Sequence, residues 1–561
     1  MFLSVNDISK AYGTHQVLNN VSLTLGAGQR IGLVGANGVG KSTLLKIIIG
    51  ELEADSGDVR LSNRMQIGYL AQVIAKYDDQ TLQQMIDASL EKLAQLEAQM
   101  RELEAQMGAE QTPEASASLM EQYGDVTEQF ERYGGYDIAY RIDEVLNGLR
   151  IGYLNRERLF ATLSGGEKSR MGLAMLLLQS PDVLLLDEPT NHLDFATLNW
   201  LEGYLQKYRG GILIVSHDRQ FLNGAVNAIV EIDEHTRSAK RYSGNYDTYH
   251  AAKVRERRKW EEDFAAQQEE IVELRYAMKV EARQATKHHA TRKVGGDKFA
   301  KGFFKGRADV VMSRLVRNAE ERLRRIEEDP IPRPPEQLRF EPDFDPQALK
   351  GKFPLMVSGI SKTFGERCVL HNVSFSLGLH SRVVLAGANG TGKSTLLRIL
   401  VGDERADRGD VYFHPAVKIG YLDQEHRTLD PNKTVFEAYA EGLEGHEQQL
   451  KTILLSTNLF RYEEFERKVG ALSSGQLRKL QIGRLIAGGA NLLILDEPTN
   501  FVSFDILESL EEALKAFPGP VLAASHDRRF MQQFGGEVWE LRDGALIPHL
   551  NGYEEYIGVM A

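Results

Sequence analysis

The chain has 561 residues, 42% of them hydrophobic and 26% charged, a balance that suits a globular protein of about two to four domains and excludes a disordered chain or a fibre. Its apolar runs stop well short of the about 18 residues of a membrane span, no basic segment followed by an apolar stretch opens it, and its one cysteine, Cys368, excludes an intrachain disulfide framework and a cysteine-based zinc site, so a soluble, cytoplasmic protein is expected. The net charge of −12 argues against a surface that coats nucleic acid all over, yet residues 283–317 carry ten Lys and Arg against two acids, a local +8 that leaves −20 for the remainder.

In chain order, the apolar run 31–34 predicts a buried strand and 43–49 a helix, joined by Gly35-Ala36-Asn37-Gly38-Val39-Gly40-Lys41-Ser42-Thr43. Leu90, Leu93, Leu96, Met100 and Leu103 recur at three- and four-residue steps and predict an amphipathic helix. A turn over 108–115 and a second helix over 116–130 complete a helical arm at about 86–135. Leu163-Ser164-Gly165-Gly166-Glu167 follows, then a strand at 183–186 ending in Asp187-Glu188, and a strand at 212–215 ending in Ser216-His217-Asp218.

The next hundred residues are strongly charged. Residues 251–279 predict a charge-laced helix with Arg255, Arg258, Glu262 and Glu269 at facing positions, and 310–328 predict another with Leu315, Ala319, Leu323 and Ile326 as its apolar stripe. Paired antiparallel, they leave 281–309 as a basic tip with Arg292, Lys293, Lys298, Lys301, Lys305 and Arg307 among Phe299, Phe303 and Phe304. Cations for phosphate and aromatic rings to stack on bases suit irregular RNA. A proline cluster from Pro330 to Pro346 then reads as an extended connector.

The remainder repeats the beginning. The glycine loop returns 352 residues on as Gly387-Ala388-Asn389-Gly390-Thr391-Gly392-Lys393-Ser394-Thr395, and Gln72 returns as Gln424. The later segments return 309 residues on, as Leu472-Ser473-Ser474-Gly475-Gln476, Asp496-Glu497 and Ser525-His526-Asp527, so the first copy holds 43 extra residues, the arm. The expected division is 1–250, 251–350 and 351–561, with both copies α/β around a buried parallel sheet.

Gly-x4-Gly-Lys-Ser after a strand and before a helix is the phosphate-loop pattern: glycines let backbone N–H groups wrap phosphates, lysine reaches the outer phosphates, and the serine hydroxyl is a magnesium ligand. A buried carboxylate at a strand end is costly without a cation, which assigns Asp187 and Asp496 to Mg²⁺ and Glu188 and Glu497 to the attacking water.

The segments at 163–167 and 472–476 resemble the signature of ATP-binding-cassette ATPases, which opens a helix and grips the γ-phosphate of ATP held by the opposite cassette. That resemblance implies ATP and Mg²⁺ as ligands. It makes Gly35, Asn37, Gly38, Gly40, Lys41, Ser42 and Thr43, with Gly387, Asn389, Gly390, Gly392, Lys393, Ser394 and Thr395, the phosphate contacts. Ser164, Gly165 and Gly166 with Ser473, Ser474 and Gly475 become the signature contacts, and Tyr12 and Phe364 the rings under adenine. Gln72 and Gln424 become Q-loop residues and further magnesium ligands, and His217 and His526 the switch histidines. Ser503 stands where the family usually has an aspartate, the place of Asp194 in the first copy, and Ser474 replaces a signature glycine, so two unequal composite sites are expected.

As a whole the chain resembles the ABC-F family: α/β, two phosphate-loop cassettes joined by a long α-helical hairpin linker. Members bind the ribosome near the tRNA exit position and push the linker toward the peptidyl-transferase centre, as translation factors or antibiotic-resistance factors. The long tip most resembles resistance members, which implies rRNA and P-site tRNA as contacts and a monomer whose cassettes pair within one chain. The competing readings are an energiser of separate membrane subunits, which would lack this linker, and a DNA-repair or chromatin ATPase, which would carry far longer coiled coils.

Overall fold

The computed structural model describes the chain except residues 14, 37, 63–64, 71–78, 109–112, 191–192, 235, 291–316, 335–352, 366, 389, 424–428, 458, 501–503 and 561. In the first cassette, β1 (Leu3–Tyr12) lies between β2 (His15–Leu25) and β4 (Ser56–Leu61) in an antiparallel sheet. The larger sheet contains β3 (Arg30–Val34), β5 (Ile67–Leu70), β6 (Val183–Asp187), β7 (Gly211–Val215), β8 (Ala228–Ile232) and β9 (Ala239–Ser243) in the order β5-β6-β7-β3-β8-β9, parallel except for β9. Burial follows the pairing. Val21, Leu23 and Leu25 of β2 alternate with exposed residues, as in a sheet wet on one face, whereas every residue of β6 is buried, as in a parallel sheet covered on both.

The second cassette repeats this. A three-stranded sheet holds β10 (Leu355–Phe364) between β11 (Arg367–Leu377) and β13 (Arg408–Phe413). A six-stranded one holds β12 (Arg382–Ala386), β14 (Ile419–Leu422), β15 (Leu492–Asp496), β16 (Val521–Ala524), β17 (Glu537–Arg542) and β18 (Ala545–His549) in the order β14-β15-β16-β12-β17-β18. The same topology from the same motif order is the structural form of the repeat.

Among the helices of the first cassette, α1 (Lys41–Ile48) follows the glycine loop. Next come α2 (Leu82–Ser89), α3 (Glu91–Met107) and α4 (Pro113–Arg132). Leu93, Leu96 and Met100 of α3 pack with Phe130 and Tyr133, the apolar stripe expected for the arm. The second arm helix begins at Pro113 rather than at 116, because proline at the first helical position gives up an N–H that would have had no partner. The cassette continues with α5 (Ile138–Gly148), α6 (Gly165–Gln179), α7 (Phe195–Lys207) and α8 (Arg219–Ala225).

Contacts divide the chain into two compact units, Met1–Tyr249 with Gln337–Ala561, and His250–Glu336, so the two cassettes count as one body. The helix α9 (Tyr246–Ala290) is longer than the expected 251–279 and takes in 281–290, which the sequence reading assigned to the tip. No glycine or proline interrupts 246–290, and Arg257–Glu261 and Arg258–Glu262 pair one turn apart at 3.1 and 3.0 Å. Within the second unit, helical residues 317–328 lie along α9: Arg275 meets Glu327 at 3.4 Å and Arg322 meets Glu270. Ala319, Leu323 and Ile326 are its half-buried positions, while Leu315 lies outside the described residues. Trp260 donates its ring N–H to the Pro332 carbonyl at 2.8 Å. Among the described residues, no helix is long and apolar enough to cross a membrane.

Candidate active site

In each cassette the glycine loop leaves the central parallel strand, β3 or β12, and the acid pair leaves a strand two places away, β6 or β15. The strand between, β7 or β16, ends at Ser216-His217 or Ser525-His526. All three meet at the carboxyl ends of parallel strands, where such sheets form their ligand crevice. Gly40 and Gly392 cap the helices at φ 107° and 108°; a Cβ on Gly40 would lie 2.7 Å from Leu18 and Val17 side-chain carbons, so only glycine allows the helix to start there.

Lys41 Nζ donates to the carbonyls of Gly35 at 2.7 Å and Ala36 at 3.1 Å, and Lys393 Nζ to those of Gly387 at 2.9 Å and Ala388 at 3.0 Å. Burial pushes the Lys41 ammonium down to about 8, against the pull of Glu188 and Asp187, and lowers Lys393 in the same way. Both lysines thus lack a full solvent shell and bond to uncharged oxygens, a state that an anionic ligand would relieve.

Ser394 Oγ donates to Asp496 Oδ1 at 3.1 Å, and Ser42 bonds to Asp187. Burial raises both aspartates, with those hydrogen bonds opposing it. Asp496 Oδ2 is buried with no hydrogen-bond partner among the described residues. A serine hydroxyl beside an unpaired carboxylate oxygen fits a hard cation such as Mg²⁺, which keeps few protein ligands and takes the rest from water and phosphate. No cluster of three or more His, Cys, Asp or Glu that could hold a metal occurs among the described residues.

Glu188 and Glu497 take the left-handed conformation, φ 49° and 48°, unusual for a residue with a side chain. Each keeps sheet pairing through its N–H, to Val215 or Ala524 at 2.9 Å, while the carboxylate turns to a histidine. The Glu188 carboxylate lies 3.4 Å from His217 Nε2, and that of Glu497 lies 3.5 Å from His526 Nε2. Burial pushes both glutamates up to about 8 and both histidines down to about 3, so each pair is uncharged near neutrality. The His526 side chain keeps 38% exposure against 22% for His217. A strained, desolvated carboxyl group beside a neutral imidazole, repeated in both cassettes, is suited to taking a proton from water once it is itself deprotonated.

Ser164 caps α6, its Oγ donating to Glu167 Oε2 at 2.7 Å, and Ser473 caps the helix Ser474–Ala487, which Ser474 and Gly475 open. Both hydroxyls are engaged inside their own capping boxes, and Gly165 and Gly166 form the first turn of α6. Thr43 and Thr395 sit in the first turns of the helices after the loops, and Gly38 and Gly390 within the loops take φ 77°. The Tyr12 and Phe364 rings, 53% and 49% exposed, end β1 and β10. Asp194 caps α7, accepting from the Thr197 N–H at 2.9 Å, and pairs with Arg150 at 3.0 Å. Asn37, Gln72, Asn389, Gln424 and Ser503 lie outside the described residues, as do all nine RNA candidates: Arg292, Lys293, Lys298, Phe299, Lys301, Phe303, Phe304, Lys305 and Arg307.

Beside the histidines lie groups that the motif reading passed over. Arg219 pairs with Glu511 of the other cassette, and Arg528 with Glu202. Both members return at the 309-residue offset, and that was the available signal.

The ABC transporter family model matches residues 18–191 and 370–500. The tylosin resistance ATP-binding protein TlrC of Streptomyces fradiae is 37% identical, over 97% of this chain and 98% of that protein. The energy-dependent translational throttle protein EttA of Escherichia coli K12 is 31% identical, over 96% and 92%. Among solved structures, the archaeal ribosome recycling factor aABCE1, seen with the stalk protein aP1, superposes with a TM-score of 0.61 at 16% identity, over 99% of this chain and 92% of that one, a likeness of fold. Two matched cassettes and end-to-end relatives place this chain in the ATP-binding-cassette family and, within it, among the ABC-F proteins.

Proposed function

We propose that the chain is a cytoplasmic ATPase that binds the ribosome and uses ATP binding and hydrolysis to act on the tRNA exit and peptidyl-transferase region, protecting it against antibiotics. The observation that carries the ATPase reading is the duplicated lysine–aspartate–glutamate–histidine arrangement at the strand ends. Lys41 and Lys393 hold the outer phosphates of ATP, the substrate, and Tyr12 and Phe364 stack on its base. Glu188 and Glu497 orient and deprotonate the attacking water, and His217 and His526 hold those carboxylates in place. Ser42, Asp187 and Gln72, with Ser394, Asp496 and Gln424, would hold magnesium, which would offset the negative charge of the phosphates. Each cassette's signature completes the site opposite, so a monomer contains both sites.

The ribosomal part rests on the relatives, one named for resistance to tylosin and matched over nearly its whole length, and on the +8 segment of the linker. A housekeeping role in translation is the second reading, favoured by the 31% identity to a translational throttle protein. Changing Glu188 and Glu497 together to Gln should keep ATP binding, slow turnover by about 10²–10⁴-fold and trap the protein on sedimenting ribosomes with ATP. Undiminished hydrolysis would remove the assignment of the glutamates, and no ATP-dependent co-sedimentation would remove the ribosome. Translation with and without a macrolide then separates protection from housekeeping.

A further inference from the structure

The repeat supplies an internal control: wherever the cassettes differ inside an otherwise shared site, the difference belongs to one of them alone. One such place lies behind the second acid pair. Arg478, on the helix Ser474–Ala487, is fully buried, and its guanidinium donates to the carbonyls of Asp423 at 2.8 Å, Asp496 at 3.1 Å and Glu497. Gln481, one turn on, accepts from Arg478 at 3.2 Å and donates to the Asp423 carboxylate. Asp423 directly follows β14, and both it and Gln481 are 5% exposed.

Three elements are thereby tied at one point: the signature helix, the end of β14 leading to Gln424, and the turn on which Glu497 adopts its left-handed conformation. Arginine suits this because its rigid fork presents five donors, enough to hold several carbonyls at once. A buried cation bound mainly to carbonyls is costly to assemble and hard to displace once made. Burial accordingly pushes the guanidinium down to about 10, with Asp423 opposing. At the positions related by the repeat the first cassette has Ala71, Ser169 and Gly172, so all three members change together and none there carries a charge or an amide.

We propose that Arg478, with Asp423 and Gln481, is a positioning clamp that holds the Asp496–Glu497 turn against the signature helix before nucleotide arrives, and that the first cassette lacks this clamp. Its consequence for rate rests on the reading of Glu497 as the water-orienting residue. The second site is then preorganised, while the first must acquire its geometry on ATP binding.

The test replaces Asp423→Ala, Arg478→Ser and Gln481→Ala together, which leaves no buried charge behind. It is made in a Glu188→Gln background, where only the second site turns over, and in a Glu497→Gln background, where only the first does. The expected result is a single-turnover rate lower by about tenfold or more in the first background with KM for ATP within about twofold, and no change in the second. Arg478→Lys should restore part of the rate, since an ammonium can still serve some of the carbonyls. An equal loss in both backgrounds, a loss seen in KM instead, or no loss overturns the proposal. A second measurement needs no ATP: amide hydrogen exchange at Leu495–Asn500 in the full chain should quicken by about tenfold when the clamp is removed, and unchanged exchange overturns the proposal as well. If the double Glu→Gln variant hydrolyses ATP at the original rate, the reading of the glutamates fails, and the exchange result still decides the clamp.

Discussion

Arg219 of the first cassette is bound bidentately by Glu511 of the second, Nη1 donating to Oε2 at 2.9 Å and Nη2 to Oε1, and Nη2 also reaches Asp527 at 3.2 Å. Arg528 makes the reciprocal bond to Glu202 and adds Asn199 at 2.7 Å. The arginines, 1% and 4% exposed, stand two residues after His217 and His526, so the faces that join the cassettes begin where the candidate sites end.

Removing one partner of such a buried pair strands the other. Arg219→Ala should therefore cost about 3–5 kcal/mol, read from urea unfolding of the full chain, whereas Arg219→Met with Glu511→Leu should recover most of it, because the packed apolar pair leaves little charge to desolvate. Equal losses in the single and double variants would show that the pairing contributes nothing specific.

The pH dependence of turnover follows from the shifted groups. A glutamate acts as a base only when deprotonated, above a value that burial has pushed up to about 8. Lys41, in the phosphate-holding role proposed for it, is an ammonium only below a value lowered to about 8. The two requirements oppose one another, so the rate at the first site should rise from pH 6, peak near 8 and fall beyond it, with apparent values that belong to the Lys41–Glu188 pair. Single-turnover hydrolysis by the Glu497→Gln variant across pH 6–10 checks this; a flat profile up to pH 9 would contradict it.

The linker charge predicts salt dependence. Replacing Lys298, Lys301, Lys305 and Arg307 with Ala should leave intrinsic ATP hydrolysis unchanged and flatten the dependence of ribosome affinity on salt, by roughly 0.7–0.9 log units per log unit of salt for each cation that touches phosphate. Phe303→Ala with Phe304→Ala should instead spare binding and weaken translation in the presence of drug, since stacking contributes about 1–3 kcal/mol per base but no salt dependence. An unchanged salt slope in the four-fold variant would locate the ribosomal contacts elsewhere.

Much of the fold was legible because its signals are local. A glycine loop between an apolar strand and a helix is a local pattern, and Gly40 at φ 107° sits in a conformation that favours the residue without a Cβ. The repeat carried the second cassette, and the 3.6-residue periodicity of Leu93, Leu96 and Met100 carried the arm. Helix ends were less legible: Pro113 and the uninterrupted run to Ala290 moved boundaries that periodicity alone had drawn shorter.

What the sequence determined by itself is therefore the pair of glycine loops, the acids that end two buried strands, and their order along the chain, since each depends on neighbours a few residues away. What only the tertiary structure decided is which charges meet. Arg219 and Glu511 are 292 positions apart and read equally well as exposed helix residues. Arg478 reads as one more cation on its helix until folding buries it against the carbonyls of two separate segments, Asp423 and the Asp496–Glu497 turn. Coulomb energy and desolvation depend on distance and burial, and neither is a function of sequence spacing once the chain has crossed the sheet.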